Sequence, residues 1–305
     1  MHSDMIRRAF FAFFFLNSVV YIGGPLDARE PVRARHAMVV ASHPAEQAGV
    51  EILRKGGNAI DAAIAVGFAL NAAYPFAGAM GGGGFMTIRL ADGTSTFIDF
   101  REEAPGKASK TMYLDANGNA TRESTTGWKS SGVPGTVRGF ELAQKKYGKL
   151  KWAEDLEPAI TMAAKGFPAP YALAEMLRTA RSVANNPESK RVYQRDGKFF
   201  EAGETVTFPD LARTLTRIAE KGPDEFYLGE TAHTLAAAME ANGGLITLDD
   251  LKNYKAVERA PLTGKYRNYT IITAAPPSGG GLGIIQMLGM LEGTGYEKGG
   301  FGSAS

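Results

Sequence analysis

The sequence predicts an α+β fold built in layers, and three features of the chain support this prediction. Segments with the hydrophobic spacing of strands and of helices alternate along its 305 residues. One alanine-rich segment, residues 59–74, is apolar nearly all round, which is typical of a helix buried against a sheet. Two apolar runs after it are joined by Ala-Asp-Gly, and an Asp-Gly pair between such runs favours a β-hairpin.

The first 28 residues have the pattern of a signal peptide or an N-terminal anchor. Arg7 and Arg8 precede the mainly apolar stretch Ala9–Gly24, and the small residue Ala28 follows where cleavage is possible. The stretch is shorter than the roughly 20 apolar residues of a transmembrane helix, so we expect no stable membrane span. We therefore predict export to the periplasm or the extracellular space, and a single domain from residue 29 to residue 305.

The predicted domain opens with a strand and two helices. The apolar run Ala37–Ala41 predicts a short buried strand. Helical spacing follows over residues 45–53 and stops at two glycines that suit a helix C-terminus. Asn58, with Asp61 three residues later, is then suited to cap the alanine-rich helix.

The remainder predicts a hairpin, further helices and a final strand and helix. The hairpin strands are Phe85–Leu90 and Thr94–Phe100, and two helices follow them. Residues 170–255 have mainly amphipathic helical spacing, so the middle region is predicted to be largely helical. Tyr266–Ala274 is rich in β-formers, and the glycine-rich run Gly279–Gly283 leads into the last helix.

Composition excludes several classes of function. The 34 basic and 32 acidic residues are interspersed and the net charge is +2, which gives no footprint for nucleic-acid binding. The chain has no cysteine, and this excludes thiol catalysis, zinc-thiolate sites and disulfides. None of the four histidines has a metal-type partner such as HxxxH or HExxH, so no metal site and no cofactor are predicted.

Four consecutive glycines, Gly81–Gly84, allow three interpretations. A phosphate cradle needs a helix after the glycines, whereas a strand follows here. The glycines are otherwise suited to close backbone approach between a buried helix and a buried strand. They are also suited to a site where substrate lies against the main chain. Gly279–Gly283 does open a helix, so anion binding there is physically possible.

Arg101 directly follows the second predicted hairpin strand and is the candidate binding residue. One hypothesis is a structural ion pair, either Asp99–Arg101 or Arg101–Glu103, at the end of the strand. The other is that its planar guanidinium binds a ligand carboxylate in a bidentate manner. Because the guanidinium stays charged, Arg101 is suited to anchor a substrate and not to transfer a proton.

Five motifs in order and spacing resemble the large-subunit half of the γ-glutamyltranspeptidases, also called glutathione hydrolases. The resemblance runs from Ala37 to the C-terminus. The motifs are PAEQAGVEILRKGGNAIDAAIAVGFALNAAYP, GGGGFMTIRL, FIDFREEAP, GVPGTVRGF and PPSGGGLGIIQMLGMLE.

The resemblance implies a fold and a chemistry. The fold is the αββα sandwich of N-terminal-nucleophile hydrolases. In that family a precursor cleaves itself at a threonine, whose hydroxyl then attacks the γ-glutamyl amide to give an acyl-enzyme. Water or an acceptor amine resolves the acyl-enzyme. Arg101 matches the arginine of the family's DFRE motif, which implies that it binds the α-carboxylate of the γ-glutamyl group.

The family's threonine lies beyond the point at which this sequence stops. We therefore expect no catalytic residue within this chain, an incomplete sandwich, and a partner segment or small subunit that carries the nucleophile. Thr125 and Thr126 lie in the wrong region to serve. Two functions stay open at this point: one half of a γ-glutamyl-transferring enzyme, or a non-catalytic remnant that binds γ-glutamyl compounds.

Overall fold

The computed structural model describes residues 33–77 and 79–300. The chain divides into two units, Met1–Met38 and Val39–Ser305. Residues 33–38 of the first unit carry neither helix nor strand. The predicted signal peptide or anchor lies outside the described residues. Among the helices of the described part, none is both long and apolar enough to span a bilayer.

The second unit mixes helices with short antiparallel strands. In chain order, its helices are α1 (Glu46–Arg54), α2 (Ala59–Ala73), α3 (Thr136–Tyr147), α4 (Trp152–Lys165), α5 (Tyr171–Thr179), α6 (Arg181–Asn185), α7 (Pro187–Tyr193), α8 (Pro209–Lys221), α9 (Asp224–Leu228), α10 (Glu230–Ala241), α11 (Leu248–Asn253) and α12 (Gly279–Leu291). Its strands are β1 (Phe85–Arg89), β2 (Ser95–Asp99), β3 (Phe167–Pro168), β4 (Gln194–Arg195), β5 (Lys198–Phe199), β6 (Thr205–Val206), β7 (Val257–Arg259), β8 (Leu262–Tyr266) and β9 (Tyr269–Thr273).

Helix α2 is the centre of the core, as its sequence predicts. The Asn58 side chain accepts hydrogen bonds from the backbone N–H groups of Ile60 (2.8 Å) and Asp61 (3.1 Å). In return, Asp61 accepts from the backbone N–H of Asn58 at 2.7 Å, which completes a capping box. Most of α2 is buried, and α1 and α4 pack against it.

The prediction of a strand at Ala37–Ala41 is wrong. These residues carry no strand, and the Val40 side chain is 82% exposed. An apolar run becomes a strand only where another strand satisfies its backbone groups. No described strand pairs with these residues.

The predicted hairpin is confirmed and forms the main sheet. β1 and β2 pair antiparallel, with Phe85 opposite Asp99 and Arg89 opposite Ser95. β7 pairs with the other edge of β2, so the strand order is β1-β2-β7. β2 is therefore the central strand, and its C-terminal end is fixed from both sides.

Glu258 ties β7 to helix α3. Its carboxylate accepts hydrogen bonds from the side chains of Lys146, Tyr147 and Thr96. These three donors lower the pKa of Glu258 to about 2. The end of α3 is thereby fastened to the edge of the sheet.

Helix α3 begins in close contact with the end of β2. The Gly135 N–H donates to the carbonyl of Gly82 at 2.8 Å. A Cβ at Gly135 would lie 2.1 Å from the carbonyl oxygen of Phe100 and 2.1 Å from the hydroxyl of Tyr254. Only glycine fits where these three segments cross.

The middle region is largely helical, as predicted, and contributes most of the remaining core. Helix α8 packs against α4, and Trp152 of α4 donates through its indole N–H to the carbonyl of Ile218 at 3.0 Å. Short strand pairs, β3 with β6 and β4 with β5, interrupt the helices. The sequence pattern did not predict these pairs, since two-residue strands leave no period to detect.

The last part consists of the β8–β9 hairpin and helix α12. β9 overlaps the predicted strand Tyr266–Ala274, whereas β8 was not predicted. The glycine-rich run Gly279–Gly283 opens helix α12, as expected. Its apolar side chains are largely exposed, including Leu282 (47%), Met287 (58%) and Met290 (74%).

Candidate functional site

Arg101 lies at the C-terminal end of the central strand, next to the turn that opens α12. Its side chain is exposed, and its Nη1 donates to the carbonyl of Pro277 at 3.4 Å. Within the described part of the chain, no carboxylate lies within ion-pair distance of its guanidinium. The fork of the guanidinium is therefore available to an anionic ligand.

The structural ion pairs considered for Arg101 do not form among the described residues. The Asp99 carboxylate instead accepts from Nε of Arg259, on the neighbouring strand β7, at 3.0 Å. Its other oxygen accepts from the backbone N–H of Arg101 at 3.2 Å. Asp99 thus contacts the main chain of Arg101 and not its guanidinium.

The carbonyl of Arg101 is held by Tyr254, which follows the last residue of α11. The Tyr254 hydroxyl donates to this carbonyl at 2.8 Å. Its side chain is 3% exposed and its ring stacks on that of Tyr227. The sequence gives no signal for this contact, because the two residues are 153 positions apart.

Within the run Gly81–Gly84, Gly83 and Gly84 serve close packing in this structure. Gly84 and Phe100 exchange backbone hydrogen bonds of 3.2 and 3.0 Å, which extends the hairpin beyond β1. A Cβ at Gly83 would lie 2.4 Å from the Phe100 carbonyl. Gly81 has open space around it. The turn is thus built for close approach to the strand that carries Arg101, and it does not open a helix.

The second glycine run places a helix N-terminus beside Arg101. Helix α12 starts at Gly279, two residues after the carbonyl that Arg101 contacts. The first N–H groups of a helix have no intrahelical acceptor and attract anions. Gly281 is needed for packing, because a Cβ there would lie 2.1 Å from the carbonyl of Ala274.

The other candidate groups remain apart from this site. Among the described residues, no group of three or more histidine and acidic side chains is arranged to hold a metal ion. His43 contacts Glu46 at 2.8 Å, at the start of α1. Thr125 donates to the carbonyl of Arg122 within a local turn.

The fold and the site together indicate the class of protein to which the chain belongs. The chain has the α+β fold of the N-terminal-nucleophile hydrolases, with an exposed arginine at the end of the central strand. A family model described as Gamma-glutamyltranspeptidase matches residues 45–305. The chain belongs to the γ-glutamyltranspeptidase family, as the motifs predict.

Individual relatives agree with this assignment. The chain is 48% identical over 282 residues to the glutathione hydrolase proenzyme of Escherichia coli (strain K12), over 91% of this chain and 49% of that protein. It is 41% identical over 284 residues to the Acylase ACY 1 proenzyme of Pseudomonas sp. (strain SE83), over 90% of this chain and 51% of that protein. The γ-glutamyltranspeptidase structure from Helicobacter pylori is similar with a TM-score of 0.86 at 40% identity, over 90% of this chain and 80% of that one. The chain spans about half the length of the curated relatives it matches.

Proposed function

We propose that this chain is the substrate-binding half of a γ-glutamyltransferase or glutathione hydrolase. The enzyme cleaves γ-glutamyl amide bonds, such as that of glutathione, and passes the γ-glutamyl group to water or to an amino-acid or peptide acceptor. A threonine from another segment or a small subunit attacks the amide and forms the acyl-enzyme. Export to the periplasm or outside the cell is part of the same proposal.

The observation that carries the proposal is the guanidinium of Arg101. It is exposed, without a carboxylate partner among the described residues, and next to the N-terminus of α12. An α-carboxylate at this place gains a charge-assisted pair of hydrogen bonds from the guanidinium. The electropositive end of the helix favours the same anion.

The exposed apolar side chains of α12 support the requirement for a further segment. Met287 and Met290 are 58% and 74% exposed, and Tyr269 on β9 is 70% exposed. An apolar surface of this kind is typical of a contact with another polypeptide. The segment that it would contact is the counterpart of the half of the relatives that this chain does not match.

The substitution Arg101→Lys tests the proposal. In the enzyme assembled from this chain and the threonine-bearing segment, we expect KM for a γ-glutamyl anilide to rise roughly 10-fold or more, because an ammonium does not reproduce the bidentate contact. Arg89→Lys, an exposed arginine on β1, is the matched control and should leave KM unchanged. An unchanged KM in Arg101→Lys would reject the assignment.

The assembled enzyme also distinguishes the proposed function from two alternatives. The similarity to an acylase proenzyme makes general amide hydrolysis the second candidate. An acylase of that kind would hydrolyse acyl anilides without an α-carboxylate as fast as γ-glutamyl anilides. A chain that binds L-glutamate but gives no turnover with any threonine-bearing segment would be a γ-glutamyl-binding remnant.

A further inference from the structure

The geometry points to Tyr254, acting with Asp99, as a positioning residue that fixes the main chain of Arg101 so that its guanidinium faces the N-terminal turn of α12. This inference rests on the proposed function and deepens it. Neither residue needs to contact the substrate. Their effect on binding passes through Arg101.

The main chain at Arg101 lies between two backbone contacts. Before it, Phe100 exchanges hydrogen bonds with Gly84, and after it, Glu103 forms an antiparallel bridge with Val133. At Arg101 itself side chains take the place of a strand. Its N–H donates to Asp99 at 3.2 Å and its carbonyl accepts from Tyr254 at 2.8 Å. Both polar groups of this peptide segment are therefore satisfied by side chains that depend on their own surroundings.

Tyr254 is itself held in place through Tyr227. Its ring stacks on Tyr227, with ring centroids 6.1 Å apart and planes 9° from parallel. The Tyr227 hydroxyl donates to the carbonyl of Pro134 at 3.0 Å and accepts from the backbone N–H of Arg138 at 3.1 Å. Gly135 leaves just enough room for the Tyr254 hydroxyl. The donor to Arg101 is thus anchored to the start of α3.

The hydroxyl of Tyr254 keeps its proton and can therefore always donate a hydrogen bond. Burial raises the pKa of its hydroxyl well above the ordinary range, and the neighbouring Tyr227 and acidic groups raise it further. The hydroxyl therefore stays protonated over the physiological pH range. On the opposite side, Arg259 orients the Asp99 carboxylate through their 3.0 Å contact.

The test measures discrimination between ligands with and without the α-carboxylate. In the assembled enzyme, Tyr254→Phe should raise KM for a γ-glutamyl anilide about fivefold, the value of one ordinary hydrogen bond, while kcat stays within roughly twofold. KM for the 4-aminobutanoyl anilide, which lacks only the α-carboxylate, should not change. Titration calorimetry of the 305-residue chain with L-glutamate and with 4-aminobutyrate gives the same comparison without turnover.

A matched control separates positioning from a general loss of structure. Tyr113→Phe removes another hydroxyl that donates to a carbonyl, that of Lys129 at 3.2 Å, and should leave the discrimination intact. Asp99→Asn weakens the second hydrogen bond and should lower the discrimination in the same direction. It also serves if Tyr254→Phe does not fold.

Each outcome decides between the inference and the proposed function. Loss of discrimination in Tyr254→Phe and in Arg101→Lys supports both. If Arg101→Lys removes the discrimination and neither Tyr254→Phe nor Asp99→Asn lowers it, the positioning role is wrong and the anchor stands. If the unchanged chain does not discriminate between the two ligands, or if Arg101→Lys has no effect, the proposed function fails together with the inference.

Discussion

Asp155 is a buried carboxyl group whose removal should change the pH dependence of folding. It lies on α4, its side chain is fully buried, and both carboxylate oxygens lack a hydrogen-bond partner within the described part of the chain. Burial, and next the nearby Asp61 carboxylate, raise the pKa of Asp155 to about 8. The Asp61 carboxylate, in contrast, accepts hydrogen bonds from the backbone N–H groups of Asn58, Lys149 and Leu150.

The sign of the effect follows from proton binding. Between about pH 4 and about pH 8, Asp155 holds a proton in the folded chain and has lost it in the unfolded chain. The free energy of unfolding therefore falls as pH rises, by about 1.4 kcal/mol per pH unit from this group. From pH 5 to pH 7 the loss amounts to about 3 kcal/mol. Asp155→Asn replaces the neutral acid by a neutral amide and removes this loss.

The assay is urea unfolding followed by circular dichroism at several pH values. The free energy of unfolding of Asp155→Asn, minus that of the original chain, should rise by about 3 kcal/mol between pH 5 and pH 7. Any fixed cost of burying the amide cancels in this difference. Asp249→Asn, an exposed aspartate on α11, should show no such rise. A constant difference for Asp155→Asn would mean that the folded chain tolerates the charged carboxylate, and the reasoning from burial would be refuted.

Three further predictions concern packing, acid stability and the exposed helix. Gly83→Ala should destabilise the chain by about 1 to 3 kcal/mol in thermal unfolding, because its Cβ meets the Phe100 carbonyl; Gly81→Ala, with open space, should not. Glu258→Gln should lose less stability than the original chain as pH falls from about 4.5 to about 2, since only the carboxylate, with its lowered pKa, must be protonated; equal losses would contradict this. Met290→Lys should reduce light scattering by concentrated protein, because Met290 is 74% exposed and its removal leaves less apolar surface through which chains can associate. Unchanged scattering would rule out this surface as the site of association.

The parts of the fold that the sequence predicted well carry local signals. Helix α2 has its cap at Asn58, and the β1–β2 hairpin has its Asp-Gly turn, so each element is specified by neighbouring residues. The failures depend on distant partners. The run Ala37–Ala41 has the composition of a strand without a described partner, and β8 turns into β9 at Arg267, which adopts a positive φ of 51° without a glycine to announce it.

The same contrast between local signals and distant partners holds for the candidate site. Arg101 was found because it sits within a continuous motif at the end of a predicted strand. Tyr254, which holds the carbonyl of Arg101, was not found because it follows α11, 153 positions further along the chain. Arg259, which pairs with Asp99 from the neighbouring strand, was not found either. Asp155 was also missed. In the sequence WAEDLEP it has the appearance of a solvent-facing charge, and only the packing of α4 shows that it is buried.

The crossing at Gly135 limits which substitutions a population of variants can retain. The obstruction there has two sources, a hydroxyl that mutation can delete and a Phe100 carbonyl that belongs to the main chain and stays whatever residue is encoded. A saturation library selected for folded protein should therefore return almost nothing except glycine at codon 135, even in a background where codon 254 already specifies phenylalanine. Codon 254 should accept several aromatic side chains. The constraint between the two positions is one-sided, and compensating changes at 254 offer no evolutionary route to a larger residue at 135.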